Sequence, residues 1–260
     1  MIHPTAIIDP GAELGNDVGV GPYAVIGPKV TIGDGTRIGS HAVVESHVRM
    51  GKGNRVHSFA SIGAIPQDLK FRGEESWVEI GDGNVIREYA TVNRGTSGGG
   101  GVTRIGNHTL VMAYCHIAHD CDVGSRVVMA NAATLAGHIT IEDGAIIGGM
   151  TGVHQFVRIG TLSIIGGMSG VSQDVPPYVT AVVSRPQRGH ALYGLNLVGL
   201  KRNGVSPETI AVLKQAFRMI FRAEVPLKDA LARAEAELPP LPEVARLIAF
   251  VRSSRRGVLR

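Results

Sequence analysis

Aliphatic side chains recur at every sixth position along most of this chain. The repeat runs without a miss from Ile2 to Ile62, returns from Ile80 to Val92 and continues from Ile105 to Val171. A helix gives a hydrophobic period near 3.6 residues and an ordinary strand a period of 2, so a period of six indicates short strands joined by turns of fixed length. Glycine often follows the aliphatic residue, where the backbone must turn. The pattern therefore predicts a β-solenoid.

Two interruptions break the six-residue register. Twelve residues more than the pattern needs lie between Ile62 and Ile80, and seven more lie between Val92 and Ile105. We expect both segments to leave the solenoid wall as excursions, near residues 65–77 and 97–104. Loops on a rigid scaffold commonly carry binding groups, so these excursions are candidate parts of a site.

The end of the repeat is marked by Pro176 and Pro177, since consecutive prolines cannot continue strand pairing. Ser206 and Pro207 then have the features of a helix start, with serine as the cap and proline at the first helical position. Further helices are predicted at about 227–238 and 242–254. The sequence thus divides into a solenoid over 1–178, an irregular connection over 179–205 and a helical domain over 206–260.

Composition and the chain start restrict the class of protein. The chain has 260 residues, 44% of them hydrophobic, and 35 glycines, which suits a buried core with many turns. The repeat begins at once, with no signal stretch and no segment as long as a membrane span, so we expect a soluble, cytoplasmic protein. Cys115 and Cys121 occupy equivalent places in neighbouring hexads, and we expect buried, reduced thiols without a disulfide.

Positive charge is concentrated in the carboxy-terminal part. Residues 196–260 carry 12 Lys and Arg against 6 Asp and Glu, whereas the first 195 residues carry 14 against 16. A basic surface favours an acidic partner. Without interleaved aromatic residues or a recognisable motif, we expect that this partner is not nucleic acid.

The repeat resembles that of the hexapeptide-repeat transferases, whose left-handed parallel β-helix has three hexads in each coil. The resemblance, and not the period, supplies the handedness, because parallel crossovers are otherwise nearly always right-handed. Three hexads per coil imply that residues 18 apart lie above one another, separated by about 4.8 Å.

This spacing gathers polar residues into one patch. His119, Gly137 and Gln155 form one column, and Asp120, His138 and Phe156 form the next. His119 is a candidate general base, because an imidazole can take a proton from a hydroxyl that attacks an acyl carbonyl. Asp120 could orient it, and the Gly137 N–H is a candidate oxyanion donor.

Two other interpretations of the patch stay open at this point. Its residues could be polar turn residues on a solvated wall, although such a concentration of histidines has no packing reason. A zinc site could also be built from His116, His119 and His138, as in the carbonic-anhydrase branch of the hexapeptide-repeat proteins.

Longer motifs support a closer resemblance. The segments 116–121, 130–138, 146–151, 153–156 and 173–178 are similar to those of the UDP-N-acetylglucosamine O-acyltransferases, which catalyse the first step of lipid A synthesis. The likeness covers nearly the whole chain. It implies transfer of a 3-hydroxyacyl chain from acyl carrier protein to the 3-hydroxyl of UDP-N-acetylglucosamine, in a homotrimer, without metal or organic cofactor.

The resemblance also implies residue roles. His119 is the base, Asp120 its partner and Gly137 the oxyanion donor. Gly167 limits the acyl groove, and because glycine leaves it open we expect a longer chain, about C14 in place of about C10. The residues implied in substrate binding are Asp68 and Lys70 for the glucosamine, His116 and His138 for the sugar site, His154 and Gln155 for substrate, and Asn196 and Arg202 for the nucleotide and its phosphates.

Acyl carrier protein is strongly acidic, so its charge would complement the basic carboxy-terminal part of this chain. Candidate docking residues are Arg218, Arg222, Arg252, Arg255 and Arg256, although solvated arginines are the plain alternative for each. Val198, Asn203 and a longer stretch from Val182 to Tyr193 depart from the family pattern. A 3-amino sugar nucleotide as acceptor, the related UDP-3-O-acylglucosamine N-acyltransferase and a non-catalytic binding solenoid are the competing hypotheses.

Overall fold

The computed structural model of the protein describes residues 1–183 and 191–260. The first part coils into a three-sided prism of short strands, with one strand of each coil in each of three sheets. The first sheet contains, in spatial order, β1 (Ile7–Ile8), β4 (Val25–Ile26), β7 (Val43–Val44), β10 (Ser61–Ala64), β13 (Thr91–Asn93), β16 (His116–Ile117), β19 (Thr134–Leu135), β22 (Gly152–Val153) and β25 (Gly170–Val171).

The second and third sheets follow the same rule. The second contains β2 (Glu13–Leu14), β5 (Val30–Ile32), β8 (Val48–Met50), β11 (Trp77–Ile80), β14 (Val102–Ile105), β17 (Asp122–Val123), β20 (Thr140–Ile141) and β23 (Arg158–Ile159). The third contains β3 (Gly19–Val20), β6 (Arg37–Ile38), β9 (Arg55–Val56), β12 (Val85–Ile86), β15 (Leu110–Val111), β18 (Val128–Met129), β21 (Ile146–Ile147), β24 (Ile164–Ile165), β26 (Val179–Ala181) and β27 (Leu192–Leu195).

The strand register confirms the 18-residue spacing. Thr134 pairs with Gly152 in the first sheet, as the unbroken repeat requires. Where the sequence has 12 extra residues, the partner is 30 positions away, as for Ile62 and Val92. The strands stop at Ala64 and resume at Trp77, so the first interruption is an excursion from the wall.

Aliphatic stacking fills the prism. The inward residue of each hexad is almost fully buried in the central coils, as at Ile62, Ile117 and Leu135, and small residues such as Ala42 and Ala90 fill the corners. Each inward side chain contacts its counterparts one coil above and below, which removes apolar surface from water on every side. Ile2 departs from the pattern and is 50% exposed, because it lies in the first coil, with a coil on one side alone.

A buried polar column runs inside the corner between the second and third sheets. Asn84 is fully buried, and its side chain donates to Asn54 Oδ1 (3.0 Å) and the Gly106 carbonyl (2.9 Å) while accepting from the Thr109 N–H (2.8 Å). Buried amides are stable only with such partners. The column therefore holds consecutive coils together across the excursions.

Aromatic rings stack along the corner between the third and first sheets. Successive rings are 5.0 to 5.2 Å apart and nearly parallel. The six-residue period did not predict this ladder, because the rings are half exposed and lie outside the aliphatic repeat. Its members are Tyr23, His41, Phe59, Tyr89 and Tyr114.

The helical part begins as predicted. Helix α2 (Pro207–Phe221) has Ser206 as its N-cap, with the serine side chain accepting from the Thr209 N–H. It packs with α3 (Leu227–Glu237) and α4 (Pro242–Arg252), close to the predicted ranges. Ser254 donates to Asp174 Oδ2 at 2.8 Å, which ties the end of this part to the last coil.

The expectation of an irregular connection over 179–205 is wrong for its described residues. Strand β26 continues the third sheet in parallel with β24, β27 pairs antiparallel with β26, and α1 (Leu197–Arg202) follows. The third sheet continues beyond Pro177 because both prolines lie at a corner, where no backbone N–H has to donate to a neighbouring strand. The next residue, Tyr178, again donates its N–H to the coil below, to the Thr161 carbonyl. Residues 184–190 of this segment, and so most of the predicted insertion from Val182 to Tyr193, lie outside the described residues.

Two expectations about smaller features can also be compared with the structure. Cys115 and Cys121 are buried and unpaired, and burial raises the pKa of Cys115 to about 11 and that of Cys121 to about 12. No described helix combines the length and apolar character needed to cross a bilayer. That the solenoid and the helical part are separate domains stays a prediction.

Candidate active site

A groove of about 570 Å³ lies along the first sheet, at its corner with the second sheet. It is lined by four of the residues singled out in the sequence and by Gln67 of the first excursion. Those four residues are His116, His119, Gly137 and His154. A depression of about 610 Å³ lies on the second sheet, where Arg49 and Arg104 both pair with Glu79, at 3.0 and 3.3 Å, and none of the described residues that line it is a histidine. The groove with the histidines is therefore the candidate active site.

The stacking at this corner follows the 18-residue spacing. The His138 N–H donates to the His119 carbonyl (3.1 Å), and the Phe156 N–H donates to the Gly137 carbonyl (3.2 Å). Asp120, His138 and Phe156 all have φ between 60° and 65°, a left-handed conformation that turns the chain at the corner. The rings of His138 and Phe156 stack 4.6 Å apart.

His119 and Asp120 form a hydrogen-bonded pair. The His119 Nδ1 lies 2.8 Å from Asp120 Oδ2, and the two side chains are 15% and 1% exposed. A carboxylate accepts hydrogen bonds, so this contact places the imidazole proton on Nδ1. The lone pair of Nε2 is then free to accept a proton.

Gly137 lies directly against His119. A Cβ added to Gly137 would be 2.5 Å from His119 Cε1 and 2.7 Å from Nε2, so any side chain here would overlap the imidazole ring. Gly137 is buried, and its N–H makes no hydrogen bond to another described residue. A free donor beside a free acceptor suits a reaction in which one group gains negative charge while another loses a proton.

Asp120 is held from the second excursion, which the structure places between Asn93 at the end of β13 and Val102 at the start of β14, and not over the predicted 97–104. Its Oδ1 accepts from the Thr96 N–H (2.8 Å) and its Oδ2 from the Thr96 hydroxyl (2.6 Å). Its own N–H donates to the Thr103 hydroxyl at 2.8 Å. Sequence reasoning missed both threonines. Thr96 lies in the break of the repeat, where no period relates it to Asp120, whereas Thr103 is in β14, one coil from Asp120, where the 18-residue spacing could have indicated it.

The other histidines surround this pair. His116 Nδ1 lies 2.7 Å from the Thr91 hydroxyl, and burial, followed by the neighbouring His119, lowers the pKa of His116. Its imidazole is therefore held neutral near pH 7. His138 is perpendicular to His119, with centroids 5.0 Å apart, and its Nδ1 is 3.8 Å from Asp120 Oδ2. His154 Nδ1 lies 3.1 Å from a guanidinium nitrogen of Arg256.

The zinc alternative meets a different ligand set. Over the described ranges, the one group of three possible ligands within 4.8 Å is His119, Asp120 and His138, whereas His116 stands apart with Thr91. The Asp120 oxygens and His119 Nδ1 already satisfy one another and Thr96. A metal ion here would have to displace these hydrogen bonds, so the contacts fit a proton-transfer pair better than a metal centre.

Several predicted substrate residues lie away from the groove of their own chain. Asp68 Oδ1 accepts from the Lys70 N–H (2.9 Å) inside the first excursion, and the Lys70 side chain is exposed. Asn196 is buried and caps α1, accepting from the Gly199 N–H and donating to the Leu162 carbonyl, both at 2.9 Å. Their proposed substrate contacts stay predictions.

The remaining predicted positions are at the surface or at the corner between the third and first sheets. Arg202 is exposed in the last turn of α1, next to the exposed Asn203. Gln155 is exposed at the same corner as His119. Gly167 stacks on Gly149, since a Cβ there would be 3.1 Å from the Gly149 carbonyl oxygen. Their roles are likewise untested.

Family models match two parts of the chain. Residues 11–46 and 103–137 match the bacterial transferase hexapeptide model of six repeats. Residues 174–259 match the second domain of UDP-N-acetylglucosamine O-acyltransferase. The repeats and the carboxy-terminal part are thus recognised independently.

Similar proteins match over their full length. An acyl-[acyl-carrier-protein]–UDP-N-acetylglucosamine O-acyltransferase of Alkalilimnicola ehrlichii is 54% identical over 261 residues, covering 100% of this chain and 99% of the relative. That of Janthinobacterium sp. is 50% identical over 264 residues, with the same coverage.

Solved structures agree with the fold. A UDP-N-acetylglucosamine acyltransferase of Bacteroides fragilis superposes with a TM-score of 0.96 at 42% identity, covering 100% of both chains. Its counterpart from Acinetobacter baumannii gives 0.95 at 45% identity, covering 100% of this chain and 99% of the other. The predicted left-handed parallel β-helix with a helical carboxy-terminal part is confirmed. This chain belongs to the family of acyl-[acyl-carrier-protein]–UDP-N-acetylglucosamine O-acyltransferases.

Proposed function

We propose that this protein transfers a 3-hydroxyacyl group from acyl carrier protein to the 3-hydroxyl of UDP-N-acetylglucosamine, as the first step of lipid A synthesis. The observation that carries the proposal is the His119–Asp120 pair, which leaves Nε2 unprotonated next to Gly137, whose N–H binds no other described residue. Relatives of the same length at about half identity bear the name of this activity.

The reaction follows from these groups. His119 Nε2 takes the proton of the sugar hydroxyl while the oxygen attacks the thioester carbonyl. The Gly137 N–H stabilises the oxyanion, and Asp120 stabilises the imidazolium that forms. When the intermediate collapses, the C–S bond breaks and His119 returns the proton to the departing thiolate. The products are the ester and the free thiol of acyl carrier protein.

The acyl chain is proposed to lie along the first sheet. Gly152 and Gly170 pair in neighbouring strands of the groove floor, and a Cβ added to either would meet nothing within 4 Å. Two adjacent glycines leave an open channel above the backbone. Gly167, close to the same sheet, is proposed to leave the far end of this channel open.

Acyl carrier protein is proposed to dock on the helical part. A groove of about 360 Å³ there combines apolar residues such as Phe217 with the basic residues Lys214, Arg218 and Arg222. Arg222 is already bound to the Leu192 carbonyl, and Arg252 to Glu235 at 2.6 Å. Arg218 is exposed in the groove, which makes it the strongest candidate of the predicted docking residues.

A homotrimer with sites between subunits is proposed as the assembly. Asp68, Lys70, Asn196 and Arg202 do not line the groove of their own chain, and a neighbouring subunit would bring such groups to it. Light scattering should give three chains per particle, and a monomer would contradict the assembly.

The cytoplasmic location of the protein also stays a prediction.

Replacing His119 with Ala removes the base and leaves the corner otherwise intact. We expect kcat to fall by about 10² to 10⁴ with acyl carrier protein thioester and UDP-N-acetylglucosamine. Product analysis separates the ester from the amide that a 3-amino acceptor would give. Turnover near that of the unaltered protein would overturn the mechanism, and no transfer with any donor would favour a non-catalytic solenoid.

The open end at Gly167 predicts a preference for a longer chain. In a series of 3-hydroxyacyl thioesters of acyl carrier protein, kcat/KM should be highest near about C14. The measurement uses equal donor concentrations and one acceptor. A maximum near about C10 would contradict the proposed path.

Reversing the charge of Arg218 tests the docking surface. Arg218→Glu should raise the KM for acyl carrier protein thioester about tenfold, with kcat little changed, and added salt should reduce the difference. Arg233→Glu is the matched control, because Arg233 is exposed but paired with Glu237 on α3. Equal effects of the two changes would mean that net charge alone, and not this groove, attracts the donor.

A further inference from the structure

The carboxylate of Asp120 is the most enclosed charged group in the active site. Its side chain is 1% exposed, and it contacts His119 on one side and Thr96 on the other. Apart from His119, the groups that donate hydrogen bonds to this carboxylate belong to Thr96, in the second excursion, outside the repeat that forms the wall. The position of His119 therefore depends on a segment that the solenoid does not itself order.

Thr96 holds the carboxylate at two points. Its N–H binds Oδ1 at 2.8 Å and its hydroxyl binds Oδ2 at 2.6 Å, so rotation of the carboxylate about its Cβ–Cγ bond would break both contacts. His138 Nδ1 lies 3.8 Å from the same Oδ2, beyond hydrogen-bond distance. The two-point contact keeps Oδ2 directed toward His119.

Thr96 is itself fixed by its surroundings. It is 5% exposed, and its carbonyl accepts from the N–H groups of Gly99 (3.1 Å) and Gly101 (2.7 Å). Gly99 lies flat against the carboxylate, where any Cβ would overlap Asp120. Both the threonine and the glycine therefore shape the space in which the carboxylate sits.

The first excursion anchors this turn. Glu74 accepts from both the N–H and the hydroxyl of Ser97, each at 3.2 Å, and from the Arg72 N–H at 2.8 Å. The hydrogen bond from the Arg72 N–H contributes most to lowering the pKa of Glu74 to about 2. Glu74 is therefore ionised at neutral pH and can accept these hydrogen bonds. Gln67 of the same excursion lines the groove.

We propose that Thr96 is a positioning residue for the general base, acting through Asp120 to hold His119 with Nε2 facing the substrate hydroxyl. This inference rests on the proposed role of His119. Thr96 contacts neither substrate nor the reacting atoms, so its effect should be on kcat and on protonation of the base.

Thr96→Val and Thr96→Ser separate the hydroxyl from the shape. Valine keeps the volume and removes the hydrogen bond, so kcat should fall about tenfold while both KM values stay within about twofold. A carboxylate with one donor fewer stabilises the imidazolium more, so the acid limb of the kcat/KM profile should move to higher pH. Serine should restore both kcat and the pH profile.

Gly99→Ala provides a second variant if valine impairs folding. It retains the Thr96 hydroxyl but presses a methyl group on the carboxylate, so kcat should again fall with little change in KM. Thr36→Val is the structural control, because Thr36 is also buried and its hydroxyl donates to the Gly51 carbonyl and accepts from the Asn54 N–H, both at 3.2 Å, remote from the active site. It should lower the melting temperature and leave kcat and the pH profile unchanged.

The result that overturns the inference is distinct from failure of the proposed function. If His119→Ala remains active, the base itself is misassigned. If His119→Ala is inactive but Thr96→Val retains normal kcat and an unshifted acid limb, Thr96 is structural alone. In the His119→Ala background, Thr96→Val should have no further effect on the residual rate, and an additive loss would also contradict positioning through His119.

Discussion

Vertical stacking of the inward aliphatic side chains is the constraint on which the rest of this molecule depends. A six-residue hexad cannot bury its own apolar side chain, and only the coils above and below provide the contacts. Because the parallel strands of neighbouring coils are hydrogen bonded in fixed register, the same constraint sets the height of every side chain on the outer surface. The active site inherits its geometry from the core.

The corners convert this regular scaffold into a catalytic surface. At the corner between the first and second sheets, Asp120 and His138 adopt left-handed backbone conformations that non-glycine residues rarely take. Burial in the stack and hydrogen bonds to adjacent coils compensate for the strain. The result is a rigid support for His119, in which the pair with Asp120 and the neighbouring Gly137 face one groove.

Departures from the repeat provide what the repeat cannot. A solenoid wall offers one outward side chain at each position, whereas a buried carboxylate needs several donors from different directions. The second excursion supplies these through Thr96, and the first braces it through Glu74. The buried amides of Asn54 and Asn84, at the corner between the second and third sheets, join the two coils that the first excursion separates in sequence. Catalytic precision thus depends on the segments that look least regular.

The hexad period is sufficient to predict the solenoid, the two breaks in its wall and the columns that bring His119 to Gly137 and Asp120 to His138, and local capping residues predict the start of α2. The columns follow from a strict period, because a repeat of fixed length specifies which residues lie above one another. Three contacts became visible only in the folded structure. Thr96 donates two hydrogen bonds to Asp120, Asn196 caps α1, and the prolines lie at a corner beyond which the third sheet continues. Such contacts join segments whose separation no period encodes, and they depend on where a loop folds back against the scaffold.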